Sequence, residues 1–212
     1  MERITTKEKI LRNIRGALLS KRENPFHDID FSSSVYNDFD EDKEVVFAQQ
    51  FIDKGGNFIY CENEKAFVEN LKTLQRVKQW GNIFAVDEKL TSLLDNEGFE
   101  YDSGTNNFKN VRTGITRCEF LIARFGSILV SSALSSGRRM FGYPEIHLVM
   151  AYTGQVVPEI KDALKLMRKK YDGNLPSQIT MITGPSRTAD IEKTLVMGAH
   201  GPRELYLFLI DE

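Results

Sequence analysis

Apolar and polar positions along the chain change period several times, and the period names the elements. From Thr5 to Arg22, Ile10, Leu11, Ile14, Ala17 and Leu18 recur at helical spacing with Lys and Arg between them, which predicts an amphipathic helix. The next stretch, ENPFHDIDFSSSVYNDFDEDKE, has no period and is rich in Ser and Asp, so it reads as an extended connector. Its Phe26, Ile29, Phe31, Val35, Tyr36 and Phe39 are too many for a solvated linker and predict packing on the domain surface or on a second subunit. From Val45 helical and strand-like stretches alternate. Helices are predicted over 45–54, 65–80, 88–94, 158–171 (with Pro158 in the first turn) and 189–196. Strands are predicted at NFIYC, NIFAV, FEY, EIHLVMAY, QITMIT and ELYLFLI, with CEFLIARFGSILVSS forming two arms about a turn at Gly126. Nearly all-apolar strands alternating with helices imply an α/β fold, a predominantly parallel sheet covered by helices on both faces. The expected division is an N-terminal helix and acidic arm over residues 1–44 and an α/β domain over 45–212.

Charge changes this picture only when divided by segment. The formal net charge of the 212 residues is −2, yet residues 1–22 carry +5, 23–44 carry −7 and 103–144 carry +5. The first two blocks suit an assembly arm, and the third suits attraction of an anionic ligand or a solvated basic rim. The pI of about 6.0 and aromatics that fall mostly within apolar runs argue against nucleic-acid binding. Cys61 and Cys118 stand far apart with no ligand spacing, so neither a disulfide framework, a zinc site nor a self-contained iron–sulfur cluster is expected. No signal-peptide core or bilayer-length apolar run is present, and a cytoplasmic location is the expectation.

Three stretches could carry chemistry. In QITMITGPSRTADIEKTL a strand runs into Gly184-Pro185-Ser186, with Ser186 or Thr188 as the cap of the following helix and Arg187 suited to a carboxylate or phosphate. The plainer alternative is a capped turn with an Arg187–Asp190 pair. In GAHGPRE, His200 can exchange a proton near neutrality and Arg203 follows it, or both serve only the loop. In GITRCEFLIARFGSILVSS, Thr116, Glu119, Arg124 and Ser127 flank the two arms, whereas Cys118 reads as packing and His147 as a core histidine. No G-x-S-x-G elbow is present.

In this order, GITRCEFLIARFGSILVSS (114–132) and GPSRTADIEKTLVMGAHGPRELYLFLID (184–211) resemble the single-domain branch of the LUD-domain family. The resemblance implies a fold of the ribose-5-phosphate isomerase, glucosamine-6-phosphate deaminase and CoA-transferase kind. It also implies a subunit of a three-component system that oxidises L-lactate to pyruvate, with iron–sulfur clusters on a partner subunit. The expected ligand is a small carboxylate or other anion where residues 114–127, 184–188 and 198–203 converge, Arg187 clamping it and His200 moving a proton. A free-standing enzyme on a sugar phosphate or CoA ester, or a non-catalytic assembly module, are the alternatives. Where the family carries an acidic residue followed by Thr-Gly-Thr or Thr-Gly-Ser, this chain has Arg124-Phe125-Gly126-Ser127, which reverses the local charge.

Overall fold

The computed structural model describes residues 5–19, 26–30, 36–104, 111–191 and 194–212. They fall into two compact units, Met1–Asp38 and Phe39–Glu212. The first holds helix α1 (Thr6–Leu19), whose apolar side chains are all exposed. In the connector Phe26, Ile29 and Tyr36 are exposed, Phe39 packs into the core of the second unit, and Phe31 and Val35 lie outside the described residues.

The second unit is layered about a five-stranded parallel sheet in the order β1 (Asn57–Cys61), β11 (Glu204–Ile210), β6 (Ile146–Tyr152), β3 (Thr113–Arg117) and β2 (Ile83–Phe84). Helices α3 (Glu64–Lys78) and α4 (Glu88–Asn96) cover one face. Each is started by a side chain that accepts from the first turn: Asn63 from the Ala66 amide at 2.9 Å, and Asp87 from the Leu90 amide at 3.3 Å. Against the other face lie α2 (Lys43–Asp53), through stacked Phe47 and Phe51, and a second sheet ordered β7 (Val156–Val157), β4 (Phe120–Ile122), β5 (Ser127–Ser131), β8 (Ile179–Ile182). Helix α5 (Ile160–Lys170) closes the far side of that sheet with Ala163 and Met167.

Strand β11 shows why the central strands read as unbroken apolar runs. Leu205, Leu207 and Leu209 enter the core shared with the second sheet, and Tyr206, Phe208 and Ile210 enter the core under α3 and α4. Both faces are dry, so both sets must be apolar.

Three expectations change. Residues 189–196 are not a helix: β9 (Arg187–Ile191) and β10 (Thr194–Met197) form an antiparallel hairpin in which Arg187 faces Met197 and Thr188 faces Val196. FEY is not a strand, and only an isolated bridge joins Phe84 to Asp102. Pro158 precedes the N-cap, Glu159, instead of opening α5. Strands β3 and β7 add to the sequence expectation.

Candidate functional site

The two ordered motifs meet at the last turn of α2. The Ser186 amide donates to the Pro202 carbonyl at 2.8 Å, and the Gly198 amide donates to the Ser186 carbonyl at 3.0 Å, which fixes loop 198–203 against loop 184–188. Gly184 has φ +81°, and a Cβ there would stand 2.5 Å from the Lys54 carbonyl oxygen. Arg187 donates from Nη2 to that same carbonyl, the open C-terminal end of α2. A guanidinium satisfies an orphan carbonyl there and opposes the negative end of the helix dipole. Among the described residues only its Nη2 is engaged in this way, and the side chain is exposed.

The 114–127 segment joins through its far end. Gly126, at φ +57°, presses on the backbone of Gln50 and Phe51, where any Cβ would overlap the Phe51 amide nitrogen. Next to it Ser127 is buried and shares a 2.8 Å hydrogen bond with the Thr183 hydroxyl. Ser127, Thr183, Ser186, Arg187 and Thr188 are therefore neighbours along one short path, with His200 and Arg203 exposed on the adjoining loop.

The remaining predicted residues do not come to these loops. Thr116 is fully buried on β3 and shares a 2.9 Å hydrogen bond with His147 Nε2. Glu119 is a buried carboxylate accepting from Ser131 Oγ (2.5 Å), Lys170 Nζ (2.6 Å) and Tyr171 Oη (2.7 Å). These donors tie β4 to β5 and α5, and burial with the Glu119 bond pushes the Tyr171 hydroxyl up to about 12. Arg124 pairs with Glu159 at the start of α5 and lies 4.5 Å from the centre of the Phe39 ring. The expected three-way convergence is thus reduced to Ser127 and the two later loops.

Half of the third charge block's six cations are paired with acids. Arg112 faces Glu145 at 3.5 Å, Arg117 grips Asp87 through two hydrogen bonds of 2.6 and 3.0 Å, and Arg124 holds Glu159. Each acid lies outside residues 103–144, so these pairs lower the block's +5 to +2 and take Arg117 and Arg124 out of the charge available to a ligand. Cys118 is completely buried and burial pushes its thiol up to about 12, which removes the thiolate a nucleophile needs. His147 is a core residue as expected, but it is satisfied only at Nε2: its Nδ1 has no partner among the described residues, and burial lowers its pKa to about 4.

Strand direction adds a feature that the sequence did not reveal. Loops 198–203 and Gly55–Gly56 lead into β11 and β1, so the site sits at the amino edge of the central sheet, although it lies beyond the carboxyl end of β8. At the opposite edge stand the Arg117–Asp87 pair and Tyr152, whose hydroxyl donates to Glu64 at 2.5 Å and is pushed upward by burial and that carboxylate. A depression of about 550 Å³ lies there, lined by Asn63, Glu64, Lys65, Tyr152, Ile210 and the terminal acids. Asp87 was legible only as a helix-capping acid ahead of EKLTSLL. Among the described residues no three His, Cys, Asp or Glu side chains gather as a metal site requires.

The LUD domain family model matches residues 47–210. Lactate utilization protein C 1 of Bacillus mycoides (strain KBAB4) is 25% identical over 235 aligned residues that span all of both chains. Lactate utilization protein C of Bacillus subtilis (strain 168) is 31% identical over 119 residues, covering 54% of this chain and 50% of that one. A crystal structure of a DUF162 family protein from Deinococcus radiodurans superposes with a TM-score of 0.59 at 18% identity, over 79% of this chain and 96% of its own, which shows the shared fold. With the motif loops joined in one place and the family match running from α2 to the end of β11, the chain belongs to the LUD-domain family.

Proposed function

We propose that the chain is a cytoplasmic subunit of an L-lactate utilisation system, and that it binds a small carboxylate or related anion at the Ser127–Thr188 and 198–203 loops. The observation that carries this reading is the mutual anchoring of loops 184–188 and 198–203 on the last turn of α2. It leaves Arg187 tethered at one nitrogen with its other donors able to meet a carboxylate. In the proposed complex Ser186 and Thr188 supply hydroxyl donors, Arg203 adds positive charge at the rim, and His200 takes or gives the proton at the substrate hydroxyl or ketone oxygen. The redox step belongs to iron–sulfur subunits that this chain would accompany. The names of the relatives support the lactate assignment; the Arg–carboxylate chemistry supports the class of ligand.

Calorimetry with L-lactate, pyruvate and ribose 5-phosphate tests it. Saturable binding of the two carboxylates is expected, weakened about ten-fold in Arg187→Ala, the loss typical of removing one exposed charge-assisted hydrogen-bond partner. Binding of the sugar phosphate alone, or unchanged affinity in Arg187→Ala, overturns it. Co-purification with an iron–sulfur protein is the complementary readout for the subunit role.

A further inference from the structure

We infer that α1 is a peripheral membrane anchor that lies on an anionic lipid surface. The helix is pre-formed: the Thr5 amide donates to Glu8 Oε2 at 2.8 Å and the Glu8 amide donates to Thr5 Oγ1 at 3.3 Å, a reciprocal cap that stabilises its first turn. That cap also occupies the only carboxylate in the helix, so the remaining charge is cationic, from Lys7, Lys9, Arg12 and Arg15. None of these four has an ion pair among the described residues.

Ile10, Leu11, Ile14 and Leu18 form one stripe and are 53%, 42%, 50% and 70% exposed, with Leu19 beyond them at 85%. At about 100° per residue, Arg15 borders that stripe, Arg12 and Lys9 lie on the opposite face, and Lys7 falls on the line of the stripe in the first turn. An apolar stripe backed by a cationic face matches the boundary between acyl chains and acidic headgroups, with Lys7 and Arg15 long enough to reach up to phosphate.

Charge complementarity selects this occupant over the others. Two copies of α1 would bring like charges together along their seam. The block beyond the helix, residues 23–44 at −7, is repelled by the surface that attracts residues 1–22 at +5. The reversal of sign at residue 23 confines the contact to the helix and leaves the connector as a spacer between the membrane and the α/β unit.

The full chain is sedimented with vesicles of phosphatidylcholine containing 30% phosphatidylglycerol and with vesicles of phosphatidylcholine alone. At least ten-fold stronger association with the acidic vesicles is expected, reduced several-fold by 0.5 M salt. Both Ile14→Gln/Leu18→Gln and Arg12→Gln/Arg15→Gln should abolish it while carboxylate affinity by calorimetry stays unchanged, which separates failure of the anchor from failure of the ligand assignment. A chain that stays in the supernatant overturns the anchor. So does equal sedimentation of the Ile14→Gln/Leu18→Gln protein, or a stable dimer in sedimentation equilibrium that the same pair of substitutions dissolves.

Discussion

Arg124 shows how a residue type can point to one chemistry while its neighbours assign another. In sequence it is a guanidinium where the resembled family carries an acid, flanked by Phe125 and Gly126, and it reads as a ligand contact with altered charge. In the fold its carboxylate partner, Glu159, stands 35 positions away at the N-cap of α5, and its other face is covered by Phe39. An acid at position 124 would meet Glu159 head on in a largely buried setting. Arg124→Glu is therefore expected to destabilise the protein by about 2–4 kcal/mol. Arg124→Glu combined with Glu159→Arg should recover more than half of that in urea denaturation. A ligand-binding role would leave stability nearly unchanged in the single variant and gain nothing from the swap. Glu119 makes the same point with the opposite charge, its three donors coming from β5 and α5. No spacing rule places Lys170 beside Glu119. By contrast the turns at GPS and GAHGP were legible from their glycines and prolines, but their meeting was expected only through the family resemblance, since β8 and β11 lie in different sheets and the Ser186–Pro202 and Gly198–Ser186 hydrogen bonds join the loops between them.

Most elements follow from local pattern because each buries a periodic face. The hairpin β9–β10 is the informative exception. ADIEKTLV mixes helix formers with β-branched residues, and with Ile191 and Leu195 four apart it satisfies the helical period. What decides is outside the segment: the Ser186–Gly198 hydrogen bond clamps the two ends together, and a chain leaving and returning at one point favours paired strands over a helix. The alternative of an Arg187–Asp190 pair rested on helical i, i+3 spacing, which the strand backbone of β9 does not have. Strand β3 escaped notice for another reason: TGITR is short and carries glycine and arginine, yet is buried through Thr116. The turn at Gly126 belongs to this scale as well. Gly126→Ala adds a left-handed backbone strain of about 1 kcal/mol to a steric conflict with the α2 backbone. A loss of about 2–4 kcal/mol is expected, read from the thermal midpoint. Because the displaced α2 turn holds Arg187, ligand affinity should fall in parallel.

For the whole molecule, the buried His147 sets an acid limit on stability. Its pKa is lowered to about 4 in the fold against an ordinary value near 6.5, so below pH 6.5 the unfolded chain takes up a proton that the native chain refuses. The stabilisation is complete above pH 6.5, declines as pH falls to about 4 and does not decline further below. The full difference is about 3 kcal/mol. His147→Gln should remove that part of the slope, so the gap between the two proteins in urea midpoints narrows from pH 7.5 to pH 4.5. A constant gap would mean that His147 does not titrate differently on unfolding. What the sequence by itself determined is the α/β class, the position of most elements, the cationic amphipathic helix and the two glycine- and proline-bearing turns, because each is set by residue period, turn chemistry or local charge. What only the tertiary structure decided is which charges are neutralised and which edge of the sheet carries the site. Pairs such as Arg117–Asp87 and Arg124–Glu159 join residues 30 and 35 positions apart, and burial makes their partners obligatory, whereas no local pattern encodes which distant strand ends share an edge.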